Sequence, residues 1–355
     1  TSEVERSKAD AGMAAMVDVK TGNVVMMVNI DGRKGSVPAH PATTDERNRV
    51  LTDVYEPGST TKVITAAGAL ESGAITVDTP FSVPSSITIG GKVFPDDEAH
   101  GRNTWTVREI LAKSSNVGAI EIAAKIGRGK LDRTMREFGF GARTAIQFPY
   151  ESAGLLHGPD TIDPSIMGSM PIGYGISTTA MQTLGVFSTV AAGGVSHPAR
   201  LVDATIDADG NRHRYGTPKP HRVISSQTAA TLNDLLRGVV SEGTGVKAAV
   251  PGYTVAGKTG TSRKAPYTIP YKYMASFAGF APAEAPRFAA VVVLDNPRAN
   301  GQVHGGAVAA PVFSKVMQYA LHLFHVQPTA SIGADAGRSG QVDGSGGGTV
   351  STPVP

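Results

Sequence analysis

The sequence predicts an α/β chain of the α+β type: a mainly antiparallel five-stranded sheet flanked by helices, with a mostly helical middle. Three observations carry this. Strand-like apolar runs sit at both ends of the chain, and helix-like runs sit between them. One terminal run folds back around a polar turn, and several helical runs carry legible caps. The 355 residues, 41% of them hydrophobic, are ample for a large core.

Taken in order, Gly12 to Ile30 is two apolar runs around a short polar KTGN, which predicts a β-hairpin. Tyr55 to Leu70 (YEPGSTTKVITAAGAL) opens a helix after Pro57-Gly58. Thr106-Val-Arg-Glu109 has capping-box spacing ahead of an apolar run. Asn116 to Gly127 reads as a helix ending on glycine. Ser177 to Gly194 starts on hydroxyl caps and stops at a glycine pair, and Ser225 to Val240 does likewise. Asp207 to Arg214, with Asp209-Gly210, reads as a hairpin turn. Three strands follow in YTVAGKTGT, MASFAGFAP and RFAAVVVLD, then a helix from Gly305 to Phe324 interrupted by Pro311. From Gln327 onward Gly, Ser, Thr and Pro dominate, too apolar-poor to offset ordering entropy. The expected division is therefore residues 1–326 as one folded unit and 327–355 as a disordered tail.

Composition removes several functions. A formal net charge of +3, with no basic helix or aromatic-basic ladder, is no nucleic-acid footprint. Without cysteine there is no disulfide framework, thiolate nucleophile or Cys-ligated metal, and no cofactor is expected. No apolar run reaches the roughly 18 residues of a spanning helix. The chain starts at Thr1 with no signal segment, which reads as a piece whose anchor was lost upstream.

Candidate chemistry begins at Ser59 and Lys62, three residues apart and so on one helix face. A lysine made partly neutral by burial or nearby positive charge can take a serine's proton. The N–H groups and dipole of the helix start favour an oxyanion forming there. Standing alone, the pair is also what an ordinary helix surface shows. Ser114 and Asn116 lie where one helix ends and the next begins; caps explain them, as do a proton relay and an amide that binds a substrate amide. Lys-Thr-Gly occurs twice. At Lys20-Thr21-Gly22 it lies in the hairpin turn, where Gly and Asn suit positive φ, so Lys20 is expected in water. At Lys258-Thr259-Gly260 it lies mid-strand. Alternation places Lys258 and Gly260 on one face, with Thr259 and Thr261 on the other. Gly260 leaves room for a close backbone approach, and an edge strand of small residues can pair with an extended peptide.

Each signal is weak singly, but Ser-x-x-Lys, Ser-x-Asn and Lys-Thr-Gly in this order are the set of serine β-lactamases and penicillin-binding proteins. Over roughly Ala11 to Phe324 the chain resembles the transpeptidase domain of a class B penicillin-binding protein, closer in look to division-type members. The resemblance rests on NRVLTDVYEPGSTTKV, SSN, PIGYGISTTAMQ, AGKTGTS, ASFAGFAPAEAPRFAAVVVLDNP and GGAVAAPVF. It implies a penicillin-binding transpeptidase fold with the site between a sheet and a helical lobe. It implies Ser59 as the acylated nucleophile, Lys62 as its base, Ser114 as a relay to the leaving group, and Lys258 as the group that tunes them. Asn116 would hold the substrate or β-lactam amide, and Thr259, Gly260 and Thr261 would line the carboxylate subsite. The N–H groups of Ser59 and Thr261 would form the oxyanion hole, where losing one donor costs about 3 kcal/mol.

The implied reaction crosslinks stem peptides ending in D-Ala-D-Ala, releases D-Ala and is blocked by β-lactams. The implied partners are a glycan polymerase and division-complex proteins, with no nucleic acid. The implied place is the outer face of the cell membrane, held by an N-terminal anchor. His304 stands where relatives often carry an aromatic residue, and the basic, aromatic loop Arg263 to Tyr273 has no readable target. Two alternatives share the motifs: a β-lactam sensor that binds without crosslinking, and a serine β-lactamase. The latter needs a deacylating base, usually in Glu-x-x-Leu-Asn; Glu121, Glu137, Glu151 and Glu242 lie in no such setting.

Overall fold

The terminal strand patterns come together as one sheet. The computed structural model describes residues 1–32, 47–158, 163–216 and 218–329; the tail expected beyond Gln327 lies, from residue 330, outside the described residues. The strands are β1 (Ala11–Asp18), β2 (Val24–Asp31), β3 (Ala256–Arg263), β4 (Tyr273–Ala281) and β5 (Phe288–Asp295). Their spatial order is β3-β4-β5-β1-β2, and all pairings are antiparallel. β5 joins the two ends of the chain, with Ala15 opposite Val291.

Burial explains the strand sequences. β4 and β5 are buried almost throughout, so they read as continuous apolar runs without alternation. One face packs on the central helices through Ala278, Phe280, Val291 and Val293. The other packs on α6 (Ala310–Leu323) through Phe277, Phe288, Phe313 and Met317. The Phe277 and Phe313 rings lie 4.7 Å apart at 60°, a tilted contact that aromatic quadrupoles favour. Pro311 falls in the first turn of α6, after a short separate helix Gly305–Val308.

The central helices are α1 (Lys62–Glu71), α2 (Val107–Lys113), α3 (Asn116–Glu137), α4 (Ala180–Ala191) and α5 (Ser226–Ser241). A capping box at Thr106/Glu109 starts α2 as its spacing predicts, and the hydroxyl cap expected for α4 is Thr179, in a box with Gln182. α1 is apolar all round because it is buried all round, Lys62 through Ala69. The break expected at Gly127 is present (φ 68, ψ 168), but helix resumes beyond it to Glu137. The middle also holds short two-stranded pieces, such as Ser86–Ile89 with Lys92–Pro95, which helix-period reading does not register. The hairpin Ala204–Ile206 with Arg212–Arg214 forms with Gly210 at φ 83. Among the described residues no helix is long and apolar enough to cross a membrane.

Candidate active site

Pro57 and Gly58 set how the chain enters α1. Residues Gly58–Thr61 form a 3-10 turn that runs into α1 at Lys62. Three residues per turn align positions i and i+3, so Ser59 and Lys62 share one face of the turn. Ser59 is half-buried, and among the described residues its hydroxyl bonds to no other side chain. Gly58 has φ 58, and a Cβ there would lie 2.9 Å from the Thr261 carbonyl oxygen. Glycine thus lets the turn press against β3.

The Ser114–Asn116 segment meets both readings of its sequence at once. Ser114 ends α2 in the left-handed region (φ 60, ψ 35). The N–H of Ser115 reaches Ile110 O and that of Ser114 reaches Leu111 O, a Schellman closure. Ser115 then caps α3, its Oγ accepting from Gly118 N at 2.9 Å. The backbone and Ser115 do the capping, so the side chains of Ser114 and Asn116 are left for the cleft. The Asn116 Nδ2 donates to Pro95 O at 2.9 Å, which fixes Oδ1 toward Lys62 at 2.7 Å.

Two buried lysines converge on Ser114. Lys258 Nζ donates to Ser114 Oγ at 2.8 Å, and Lys62 Nζ lies 3.4 Å from the same oxygen. Lys62 also donates to the Ser114 carbonyl. Burial pulls the Lys62 ammonium down to about 8 from an ordinary 10.5, against the raising charges of Asp97 and Asp96. Burial, then the charge of Lys62, holds Lys258 well below the ordinary lysine range, with Asp97 opposing. A neutral Lys62 has two N–H bonds, and two acceptor-only oxygens take them, the Ser114 carbonyl and Asn116 Oδ1. Its lone pair remains free to accept a proton.

β3 is the edge strand of the sheet. Alternation holds for its backbone, and the long Lys258 side chain is fully buried. Its Nζ comes within 3.3 Å of Thr259 Oγ1, which alternation alone puts on the far face. Thr259 Oγ1 also meets Thr244 Oγ1 at 2.7 Å. Thr261 Oγ1 accepts from Gly305 N at 3.1 Å, beside the exposed His304. The space at Gly260 is taken by the chain's own turn at Pro57 and Thr60. A Cβ there would lie 2.4 Å from Ser276 Oγ and 3.0 Å from Pro57 O. Gly260→Ala is therefore expected to destabilise the fold by about 1–3 kcal/mol, measured by urea denaturation; an unchanged midpoint would refute this packing.

The other triplet is elsewhere. Lys20 is exposed at the β1–β2 turn, where Asp18 Oδ1 accepts from Lys20 N and Thr21 N and Gly22 takes φ 72.

Three supports escape a reading of motifs. Asp96 Oδ1 accepts from the N–H groups of Asn116 and Val117, and its Oδ2 accepts from Ser115 Oγ at 2.7 Å. Glu56 accepts from Gly175 N at 2.8 Å and from the Tyr267 hydroxyl at 2.7 Å, and its carbonyl accepts from Ser262 Oγ. Thr244 is the third. Glu56 was findable, three residues before Ser59; Asp96 caps a helix some twenty residues away and carries no linear signal. The Glu56–Tyr267 contact also gives the loop Arg263 to Tyr273 one of its targets, while the Arg263 guanidinium stacks on Tyr271 at 4.2 Å.

Comparison with known proteins identifies a family for the chain. The penicillin binding protein transpeptidase domain family matches residues 12–318. Penicillin-binding protein PbpB of Mycolicibacterium smegmatis is 37% identical over 325 residues, 88% of this chain and 50% of that protein. Peptidoglycan D,D-transpeptidase FtsI of Escherichia coli is 34% identical, across 91% of this chain and 53% of its own. Penicillin binding protein 3 of Mycobacterium tuberculosis, solved with ampicillin, superposes with TM-score 0.83 at 34% identity, covering 94% of this chain and 77% of that one. The chain spans about half the length of the first two relatives. With Lys62, Ser114, Asn116 and Lys258 in hydrogen-bond contact, a family match over residues 12–318 establishes that the chain belongs to the penicillin binding protein transpeptidase family.

Proposed function

We propose that the chain is the catalytic domain of a peptidoglycan D,D-transpeptidase that works through a serine acyl-enzyme and is acylated by β-lactams. The observation that carries this is the convergence of Lys62 and Lys258 on Ser114 beneath the Ser59 turn. Neutral Lys62 takes the Ser59 proton as Oγ attacks the penultimate D-Ala carbonyl. The N–H groups of Ser59 and Thr261 stabilise the resulting oxyanion. Ser114 passes a proton to the departing D-Ala nitrogen and is resupplied through the lysines; Lys258 tunes this exchange. Asn116 holds the substrate amide, Thr259 and Thr261 meet its carboxylate, and Gly260 brings strand and nucleophile turn together. A neighbouring stem amine then takes the acyl group.

The relatives' names support the transpeptidase reading and the ampicillin complex supports β-lactam binding. Persistence of the acyl-enzyme is favoured over β-lactamase turnover. Glu151 is buried with its carboxylate on Thr144, and both Glu56 oxygens already accept hydrogen bonds. Peptidoglycan lies outside the cytoplasmic membrane, so we place the domain there; an anchor, a glycan polymerase and division proteins as partners rest on family resemblance.

Mass spectrometry after penicillin treatment is expected to find one stable adduct on Ser59. An adduct elsewhere, or rapid turnover without adduct, overturns the reading. A stem-peptide thioester with a D-amino-acid acceptor separates transpeptidase from sensor: acylation without acceptor incorporation favours the sensor.

A further inference from the structure

Asp96, which holds the Ser114–Ser115–Asn116 turn, is itself held. His100 Nε2 lies 2.9 Å from Asp96 Oδ2, and His100 Nδ1 lies 2.5 Å from Gly101 O. Both oxygens are acceptors only. A neutral imidazole has one N–H and satisfies one of them; the imidazolium satisfies both. Asn103 Nδ2, 3.1 Å from Nδ1, also reaches Gly101 O at 3.4 Å, so it keeps an acceptor when Nδ1 is protonated. The His100 ring packs on Trp105, centroids 4.7 Å apart. The charged groups facing it are Asp96 on its own loop and Lys113 on α2, whose ammonium sits 5.5 Å over the Trp105 ring.

We propose that His100, doubly protonated, is a positioning residue that clamps Asp96 and through it the Ser114–Asn116 turn, so that acylation of Ser59 responds to a proton outside the reacting groups. The inference rests on Ser59 being the acylated residue. The hydrogen bonds to Asp96 and then Gly101 raise the imidazole above its ordinary 6.5, while burial and Lys113 lower it. The charged clamp is therefore complete at low pH and is lost as pH rises through that raised value. A charged donor holds a carboxylate more strongly than a neutral one, and its loss loosens the turn that presents Ser114 and Asn116.

The test compares wild type with His100→Gln, whose side-chain amide supplies a donor that does not titrate. Second-order acylation by a fluorescent penicillin is measured from pH 5.5 to 9.5. Titration of Lys62 affects both proteins, and the tryptophan midpoint separates the His100 step from it. The wild-type to variant ratio is expected to fall about five- to tenfold as pH rises. Trp105 is the single tryptophan of the chain, so its emission reports His100 directly. It should titrate in wild type with the same midpoint as the rate ratio and not titrate in His100→Gln. Lys113→Met, which removes the opposing charge, should move the fluorescence midpoint and the wild-type kinetic step upward together, and it serves if His100→Gln misfolds. A flat ratio, mismatched midpoints, or a Lys113→Met shift in fluorescence alone overturns the clamp. A missing Ser59 adduct in wild type overturns the function itself, whereas a Ser59 adduct with a flat ratio removes only the clamp.

Discussion

Lys62→Met is expected to slow acylation of Ser59 by roughly 10²- to 10⁴-fold, the range for losing a positioned general base. In the wild type the rate should fall about tenfold per pH unit below about 8 and level off above it, because the base acts only as the neutral amine. Stopped-flow acylation with a fluorescent penicillin measures both; a flat profile between pH 6 and 8 would remove Lys62 as the base. The same burial has a stability consequence of opposite sense to the usual salt-bridged lysine. The folded value, about 8, lies below the unfolded 10.5. Below about 8 both states carry the proton and the destabilisation is constant. Between about 8 and 10.5 the folded chain releases its proton while the unfolded chain keeps it, so stability rises with pH. The shift corresponds to about 3 kcal/mol, gained by the wild type over Lys62→Met across that window and read by urea denaturation at each pH. An unfolding free-energy difference that does not change with pH would sink the argument.

Replacing Lys258 with methionine should cost roughly 10²- to 10³-fold in acylation, comparable to losing one preorganised electrostatic group. Lys20→Met should change it by less than about twofold, since Lys20 is exposed at a turn held by Asp18 and Gly22. The pair is a controlled comparison, because both lysines occupy the first position of an identical triplet. Folding confounds neither variant. Methionine fills the volume of a fully buried Lys258 without a charge to desolvate, so the melting temperature should not fall enough to explain lost acylation. Equal acylation by the two variants would show that the triplet at Lys258 does not define the site.

Much of this was legible because it is local or periodic. The β1–β2 hairpin, the capping box at Thr106/Glu109, the break at Gly127 and the glycine stop at Gly194 depend on neighbours within a few residues. The settings of the two triplets are local too: one has turn chemistry around it and the other strand chemistry. The five strands were legible for a related reason, since burial on both faces turns β4 and β5 into unbroken apolar runs.

Residue types and order by themselves determined the family and the candidate residues. They could not decide how those residues act on one another. That Lys258 reaches Ser114 depends on bringing together residues 144 apart in the chain. That Ser114 and Asn116 are free for chemistry depends on Ser115 and the backbone taking over the caps. That Gly260 sits against the turn at Pro57 and Thr60, and that Asp96 and His100 brace the Ser114–Asn116 turn, depends on segments far apart in the chain lying close together. A lysine's proton affinity follows from how thoroughly it is buried and which charges face it, and both are properties of the packed molecule.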